Sequence, residues 1–97
     1  MKLLFCKNCT DIFSISTQKV KTCSCGQTKG KYLDQLNAVY TGAFAIPMGI
    51  SNSSFIRAIK RFNHDGGGDN FNAFLISDVA PSFRKINESE FLLCQVQ

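Results

Sequence analysis

The sequence lacks the segments on which membrane and secreted proteins depend. No apolar run approaches the roughly 18 residues that a membrane-spanning helix needs. The opening residues MKLLFCKNC hold only a three-residue apolar run before polar residues, which is not the pattern of a secretory signal peptide. We therefore expect a cytosolic protein that has no membrane partner.

Groups that support catalysis are also scarce. The chain has no serine elbow and no paired carboxylates, and it has one histidine, His64, which stands beside Asp65 in the stretch NHDGGGDN. Neighbours in sequence often point apart, whereas a catalytic pair needs a spatial arrangement, so we interpret His64 as a solvated loop residue. The glycines match no phosphate-loop fingerprint and predict a flexible connector. We predict that the protein is not an enzyme.

What the sequence contains is sufficient for one small domain, residues 1–97. A chain of 97 residues lies near the lower limit for a single apolar core, so a structural metal would help it fold. Residues 1–62 carry nine Lys and Arg against two Asp and Glu, whereas residues 63–97 carry two against five. The basic part is a candidate surface for an anionic partner, and the alternative is an ordinary solvated exterior.

Four of the five cysteines form two tight pairs. Cys6 and Cys9 are separated by two residues, Cys23 and Cys25 by one, and thirteen residues lie between the pairs. Two short chelating turns of this kind bring four thiolates into the tetrahedron that zinc prefers. Four cysteines fill all four positions, so we predict one zinc ion with a structural role.

The segment between the pairs has the pattern of a β-hairpin. DIFSIST alternates with period two and STQK supplies a reversal before VKTC returns, which predicts a zinc-ribbon hairpin in residues 1–28. Disulfides fit poorly with a cytosolic chain, and a redox dithiol would need a helix after its first cysteine. An iron–sulfur site stays open as an alternative. Cys94 lies among apolar residues and is interpreted as a small buried side chain.

Residues 29–97 are expected to form an α+β part with a mostly antiparallel sheet and one amphipathic helix. KGKYLDQLNAVYTG predicts two short strands or an irregular arch, and Pro47 and Gly49 exclude a regular helix after it. A helix is predicted from near Asn52 to near Phe62. Its apolar stripe comprises Phe55, Ile56, Ile59 and Phe62, and its basic face comprises Arg57, Lys60 and Arg61. FNAFLI predicts a buried strand, and FRKI and FLLCQV predict two more.

These segments together carry a resemblance to a known family. The order CxxC, CxCG, GKYLDQLNAVYTG, PMGISNSSF, a glycine-rich loop and FNAFLI resembles a family of small proteins of bacteria and phages, over roughly residues 3–76. The resemblance implies a compact zinc-ribbon domain, and it assigns neither a substrate nor a catalytic residue.

The start of the predicted helix is the best candidate for a ligand site. Backbone N–H groups at a helix N-terminus favour an anion, and hydroxyl groups and a basic side chain lie close to them in sequence. The candidate residues are Asn52, Ser53, Ser54, Arg57, Asn37 and Tyr40, with Tyr32 as a further stacking group. We expect a phosphate-bearing, nucleotide-like small molecule, and sequestration of a nucleotide signal is one role that the phage resemblance permits. The alternative is that these residues are caps, solvated charges and core.

A nucleic-acid-binding or protein-binding zinc ribbon is the alternative function. The basic residues of the N-terminal third are all lysines, without the arginine forks that are typical of nucleic-acid surfaces, and this favours the small ligand. Exposed Phe residues and edge strands would suit a protein partner equally.

Overall fold

The computed structural model describes residues 2–62 and 68–95, with side chains described as far as residue 92. Strands outnumber helices in this part of the chain, as the alternating patterns predict. Its elements, in chain order, are β1 Lys2–Cys6, β2 Ile12–Ser14, β3 Lys21–Thr22, β4 Lys29–Tyr32, β5 Ala38–Thr41, β6 Ala45–Ile50, α1 Asn52–Arg61, β7 Ala73–Leu75, β8 Phe83–Lys85 and α2 Glu88–Gln95.

The strands form two four-stranded sheets. The first sheet has the order β2-β1-β6-β7 and is antiparallel throughout. The second has the order β3-β4-β5-β8 and is antiparallel except for the parallel pair β5 and β8. The predicted fold class, an α+β domain with a mostly antiparallel arrangement and one main helix, is confirmed.

The two sheets share one apolar core. Leu4 of β1 and Ile15, which follows β2, belong to the same buried cluster as Tyr40 of β5 and Phe83 of β8. The rings of Tyr40 and Phe83 meet edge to face, with centroids 5.0 Å apart at 70°. Gly30 of β4 lies directly against the first sheet, because a Cβ atom there would clash with Leu4 Cδ1 and would stand 2.9 Å from Ile15 Cγ2. Glycine at this position therefore leaves room for the packing of the two sheets.

Strand pairing around the cysteines differs from the prediction of one hairpin between the two pairs. β2 pairs with β1, with Leu4 opposite Phe13, and β3 pairs with β4, with Lys21 opposite Gly30. β2 pairs with the apolar strand β1 in the first sheet, whereas β3 belongs to the second sheet. Residues 15–20 therefore pass from the first sheet to the second. Each cysteine pair therefore lies in its own hairpin turn.

The middle of the chain agrees with the prediction. β4 and β5 are the two short strands expected from KGKYLDQLNAVYTG, and they pair with each other. Pro47 and Gly49 lie in strand β6, not in a helix. The carbonyl of Pro47 accepts from the N–H of Ile76, the residue after the end of β7, at 2.9 Å. The proline nitrogen, which has no hydrogen to donate, therefore lies opposite a position where the pairing of β6 with β7 has ended.

The C-terminal strands were predicted with partial success. FRKI forms β8, and FNAFLI contains β7. The predicted burial of FNAFLI was wrong, because β7 is an edge strand on which Phe74 is 50% and Leu75 is 74% exposed. β7 pairs on one side only, with β6, so its side chains receive less cover than those of a central strand.

The strand predicted at FLLCQV was wrong, because residues 91–95 of this segment belong to helix α2. Asn87 caps the helix: its side-chain Oδ1 accepts from Glu90 N–H at 2.7 Å and its carbonyl accepts from Phe91 N–H at 3.0 Å. The ring of Phe91 is buried. A cap followed by one buried aromatic ring outweighs the β-forming composition of this segment. The prediction for the Cys94 side chain lies outside the described residues, as does that for His64.

Helix α1 has the predicted limits. Ser51 is its N-cap and accepts from Ser54 N–H, and the helix ends at Arg61 with Phe62 as the C-cap. Ser54 and Ala58 are the buried residues of this helix. In the described ranges, 2–62 and 68–95, neither helix is long and apolar enough to cross a membrane.

Candidate metal centre

The first cysteine turn closes the hairpin of β1 and β2. Cys6 is the last residue of β1; its N–H donates to the Asp11 carbonyl at 2.9 Å and its carbonyl accepts from Thr10 N–H at 2.7 Å. Thr10 has a φ of 59°, the left-handed conformation that this tight reversal requires. The turn places the side chains of Cys6 and Cys9 on the same side of the hairpin end.

The second cysteine turn closes the hairpin of β3 and β4. Cys23 N–H donates to the Thr28 carbonyl at 3.0 Å, and Gly26 N–H donates to the Cys23 carbonyl at 3.1 Å. Gly26 has a φ of 80°, a conformation that glycine adopts without a steric cost. Thr28 N–H donates to Cys23 Sγ at 3.3 Å, so the turn also orients the sulfur.

The two turns bring all four predicted ligands together. The sulfur atoms of Cys6, Cys9, Cys23 and Cys25 all lie within 4.8 Å of one another. Sγ of Cys25 is 3.7 Å from that of Cys6 and 3.5 Å from that of Cys23. A tetrahedron with metal–sulfur bonds of about 2.3 Å has sulfur–sulfur edges of about 3.8 Å. The four thiols are free, and this spacing could hold one metal ion with no coordination position left open.

Polar residues around the sulfurs hold the two turns in register. Asp11 Oδ2 accepts from the backbone N–H of Ser24 at 3.0 Å and from its hydroxyl at 3.1 Å. Asn8 Nδ2 donates to Cys25 Sγ at 3.3 Å. These contacts, which sequence reasoning missed, join the first turn to the second. Their only sequence signal is the position of Asn8 and Asp11 within and beside the first cysteine pair.

The thiols differ in acidity. Burial raises the pKa of Cys6, but the nearby Thr28 hydroxyl and the N–H groups of Cys9 and Asn8 outweigh it and lower the pKa from 9.0 to about 6. Burial likewise opposes the hydrogen bond from Thr28 N–H at Cys23, and the net pKa there is lowered. Burial raises the pKa of Cys9. Two of the four sulfurs are therefore prepared to be thiolates, the form that binds metal.

Not all candidate ligand residues at the start of helix α1 expose their side chains to a ligand. Ser54 is buried; its hydroxyl donates to the Ser51 carbonyl at 3.1 Å and accepts from Asn72 N–H at 2.8 Å. Asn52, Ser53 and Arg57 are exposed on the first turns. Ser54 therefore acts as a brace between α1 and the segment before β7.

The other candidate ligand residues are held within the second sheet. Tyr40 is 1% exposed in the core, so its ring offers no stacking surface to a ligand, and burial raises its pKa. Asn37 donates from Nδ2 to Asp34 Oδ2 at 2.9 Å in the turn between β4 and β5. Tyr32 accepts from Lys2 N–H at 3.2 Å through its hydroxyl. Each of these three side chains therefore has a structural partner within the protein.

Comparison with known proteins adds no relative to this geometry. No family model, no curated protein and no solved structure matches the chain.

Proposed function

We propose that this chain is a zinc-ribbon domain in which Cys6, Cys9, Cys23 and Cys25 hold one structural zinc ion. The observation that carries the proposal is the mutual approach of four free sulfur atoms to within 4.8 Å. The four sulfur atoms come from two separate hairpins. Thiols without a metal gain little free energy from such close approach, so the spacing is better explained by a shared metal ion. Zinc bound by four thiolates has no open position for water, so it stabilises the fold and supplies no catalytic chemistry.

Elemental analysis of the purified protein, with matched cysteine variants, tests the metal site. We expect one zinc per chain in the natural sequence and in Cys94→Ala, and loss of zinc with a fall in melting temperature in Cys9→Ser. Cobalt substitution should give the strong visible absorption of a tetrahedral thiolate site. A metal-free natural protein that melts at the same temperature with and without a chelator would contradict the proposal.

The same analysis separates zinc from iron. Thiolate sites of four cysteines also accept iron or an iron–sulfur cluster. If the purified protein is coloured and contains iron, together with sulfide in the case of a cluster, the metal of this site is iron and not zinc. The four ligands then stay the same.

We infer further that the domain is a non-enzymatic binding module, with an anionic, phosphate-bearing ligand at the start of α1 as its first candidate partner. Arg57 is the charge that supports this. Among the described residues, ion pairs join Lys29 to Glu88 and Arg61 to Asp69, and Arg57 belongs to neither. The role that the family resemblance permits, sequestration of a nucleotide signal in the cytoplasm, is part of this proposal.

A binding screen with nucleotides and, in parallel, oligonucleotides tests this second step. We expect Arg57→Ala to weaken nucleotide binding by about 1.5–3 kcal/mol, the contribution of a hydrogen bond to a charged group, while zinc content and melting temperature stay unchanged. Arg61→Ala is the matched control, because Arg61 is already paired with Asp69 and should affect binding less.

The outcomes of this screen distinguish the candidate partners. Oligonucleotide binding that weakens steeply with salt, and that depends on Arg61 as much as on Arg57, would identify a nucleic-acid surface. If neither class of ligand binds at millimolar concentration, the anion proposal fails, and a protein partner becomes the better explanation of a binding module.

A further inference from the structure

Helix α1 turns its apolar stripe outwards. The exposed fractions are 38% for Phe55, 51% for Ile56, 58% for Ile59 and 43% for Phe62. A helix of ten residues has little stability of its own, and it normally gains stability by burying its apolar face. Here the buried residues are the small Ser54 and Ala58, whereas Phe55, Ile56 and Ile59 keep a large part of their apolar surface exposed.

The stripe borders a groove between α1 and the segment that leads into β7. The groove has a volume of about 380 Å³ and is lined by Phe55, Ala58, Ile59, Phe62, Gly68, Asp69 and Phe71. Phe71 is 42% exposed, and its ring meets that of Phe55 edge to face at 4.8 Å between centroids. Ala58 forms a low point on α1 between the larger Phe55 and Phe62. Such a depression accepts a large side chain from a second helix.

The charges around the stripe do not oppose contact with an identical surface. In a helix of 3.6 residues per turn, Arg57 lies on the side opposite the stripe and Lys60 lies at its border, where its long side chain can reach water. Among the described residues that line the groove, Asp69 is the charged one, and it is held by Arg61, with Oδ2 3.2 Å from Nε and Oδ1 3.3 Å from Nη2. Within the described ranges, the apolar face therefore carries no unpaired charge that a twofold axis would bring against itself.

We propose that the groove is the interface of a homodimer, in which α1 packs against α1 of a second copy about a twofold axis. Ile59, which lines the groove, and Ile56, which lies on the other side of the stripe, then pack against the same apolar face of the other copy. A twofold arrangement closes the assembly at two chains, since each copy covers the same patch on its partner.

The exposed apolar area is of the size that a stable dimer needs. Five side chains, Phe55, Ile56, Ile59, Phe62 and Phe71, are each between 38% and 58% exposed. With roughly 200 Å² for a large side chain, they offer about 450 Å² per copy and about 900 Å² for the pair. Apolar atoms make up roughly 60% of an interface, so complete coverage of these side chains corresponds to a whole contact of about 1,500 Å², which is a standard size.

Analytical ultracentrifugation of the full chain with its metal tests the dimer. At roughly 100 μM, where an interface of standard size is populated, we expect the natural sequence to sediment as a dimer. Ile59→Glu should raise the dimer dissociation constant at least 100-fold, because it buries two unpaired carboxylates in the contact. Val79→Glu is the matched control: Val79 is 82% exposed, lies outside the groove and receives the same charge, and this variant should stay dimeric.

Metal content and circular dichroism, measured on the same samples, keep the outcomes separate. If Ile59→Glu fails to fold, Ile56→Glu on the same stripe takes its place with the same expectation. A natural sequence that is monomeric at about 1 mM, or a dimer that persists in both stripe variants, would overturn the proposal. A monomer that binds acidic peptides or anionic vesicles through α1 would overturn it too, and would assign the groove to that partner. Zinc content is unaffected by any of these results, so failure of the dimer is distinct from failure of the metal site.

Discussion

Thr28 is a single residue whose side chain links the fold to the metal centre. It is fully buried at the end of the second cysteine turn, and its hydroxyl makes no hydrogen bond to a nitrogen, oxygen or sulfur atom of the described residues. The same hydroxyl is one of the groups that lower the pKa of Cys6. A buried hydroxyl beside a thiolate gains an acceptor when the sulfur is charged, so the residue favours the metal-binding form.

Thr28→Val should therefore weaken the metal site while keeping the shape of the side chain. We expect the pKa of Cys6 in the metal-free protein to rise from about 6 towards 9.0. Metal affinity should fall roughly 10- to 100-fold, as for other contacts around a metal ligand. Thiolate absorbance against pH and competition with a metal indicator measure the two effects. An unchanged Cys6 titration would show that the hydroxyl makes no contact with the thiolate.

The sign of the pH dependence follows from the direction of the Cys6 shift. Because the pKa is lower in the folded chain than its ordinary value of 9.0, the thiolate favours folding. This contribution is complete above about pH 9 and is lost as the pH falls through about 6. Metal binding follows the same direction, since protons compete with the metal for the sulfur.

Gly30 is a second residue that determines how closely the sheets pack. Gly30→Ala places a methyl group against Leu4 and Ile15 in the core, and overpacking of this kind costs about 1–3 kcal/mol of unfolding free energy. Gly68→Ala is the control, because a Cβ atom there meets nothing within 4 Å. Urea denaturation of both variants measures the difference. Equal stability of the two would mean that the core yields to the extra methyl without strain.

At the scale of elements, the start of α1 is held by hydrogen bonds that leave neighbouring serines with different roles. Ser51 caps the helix, and Ser54 joins it to the chain before β7 through Asn72. Ser53 is exposed, and its hydroxyl lies 3.4 Å from that of Ser51. Position in the first turn therefore decides whether a hydroxyl supports the fold or faces solvent.

Ser54→Ala and Ser53→Ala form a matched pair of variants for this element. Ser54→Ala leaves the Asn72 N–H without its acceptor and should cost about 1–3 kcal/mol of unfolding free energy. Ser53→Ala should change the unfolding free energy by less than about 0.5 kcal/mol. Thermal and urea unfolding provide the measurement. A larger loss at Ser53 than at Ser54 would contradict the assignment of the brace.

For the whole molecule, the metal centre lies where the two sheets meet. Cys6 and Cys9 belong to the hairpin of β1 and β2 in the first sheet, whereas Cys23 and Cys25 belong to the hairpin of β3 and β4 in the second. A metal bound by all four would link the sheets at one end of the shared core. The stabilising effect of the proposed zinc ion is then not confined to the N-terminal hairpin.

Removal of the metal should accordingly loosen both sheets together. In amide hydrogen exchange after chelation, we expect protection to fall in β4 and β5 of the second sheet as well as in β1 of the first. Protein that has been reloaded with zinc is the control, and it should recover the original protection. Loss confined to β1 and β2 would show that the two sheets hold together without the metal.

The sequence by itself determined the features that depend on local spacing. Two cysteine pairs with short separations predicted four ligands, because a chelating turn is built from neighbouring residues. The serine cluster before Phe55 predicted that α1 starts within about two residues of Asn52, and the helix begins at Asn52, since a helix cap is also a local interaction. The outlines of β4, β5 and β8 follow from turn residues and alternation in the same way, whereas for β6 the sequence predicted only that Pro47 and Gly49 exclude a regular helix.

Only the tertiary structure decided which segments cover one another. The pattern of β2 is compatible with pairing to β3 or to β1, and the apolar core shared by the sheets selects β1. Tyr40 is equally suited to a core and to a ligand site, and its contact with Phe83 in the neighbouring strand puts it in the core. An apolar stripe on an amphipathic helix normally predicts a buried face, yet the stripe of α1 is exposed. Burial depends on residues distant in sequence, whose positions no local pattern specifies.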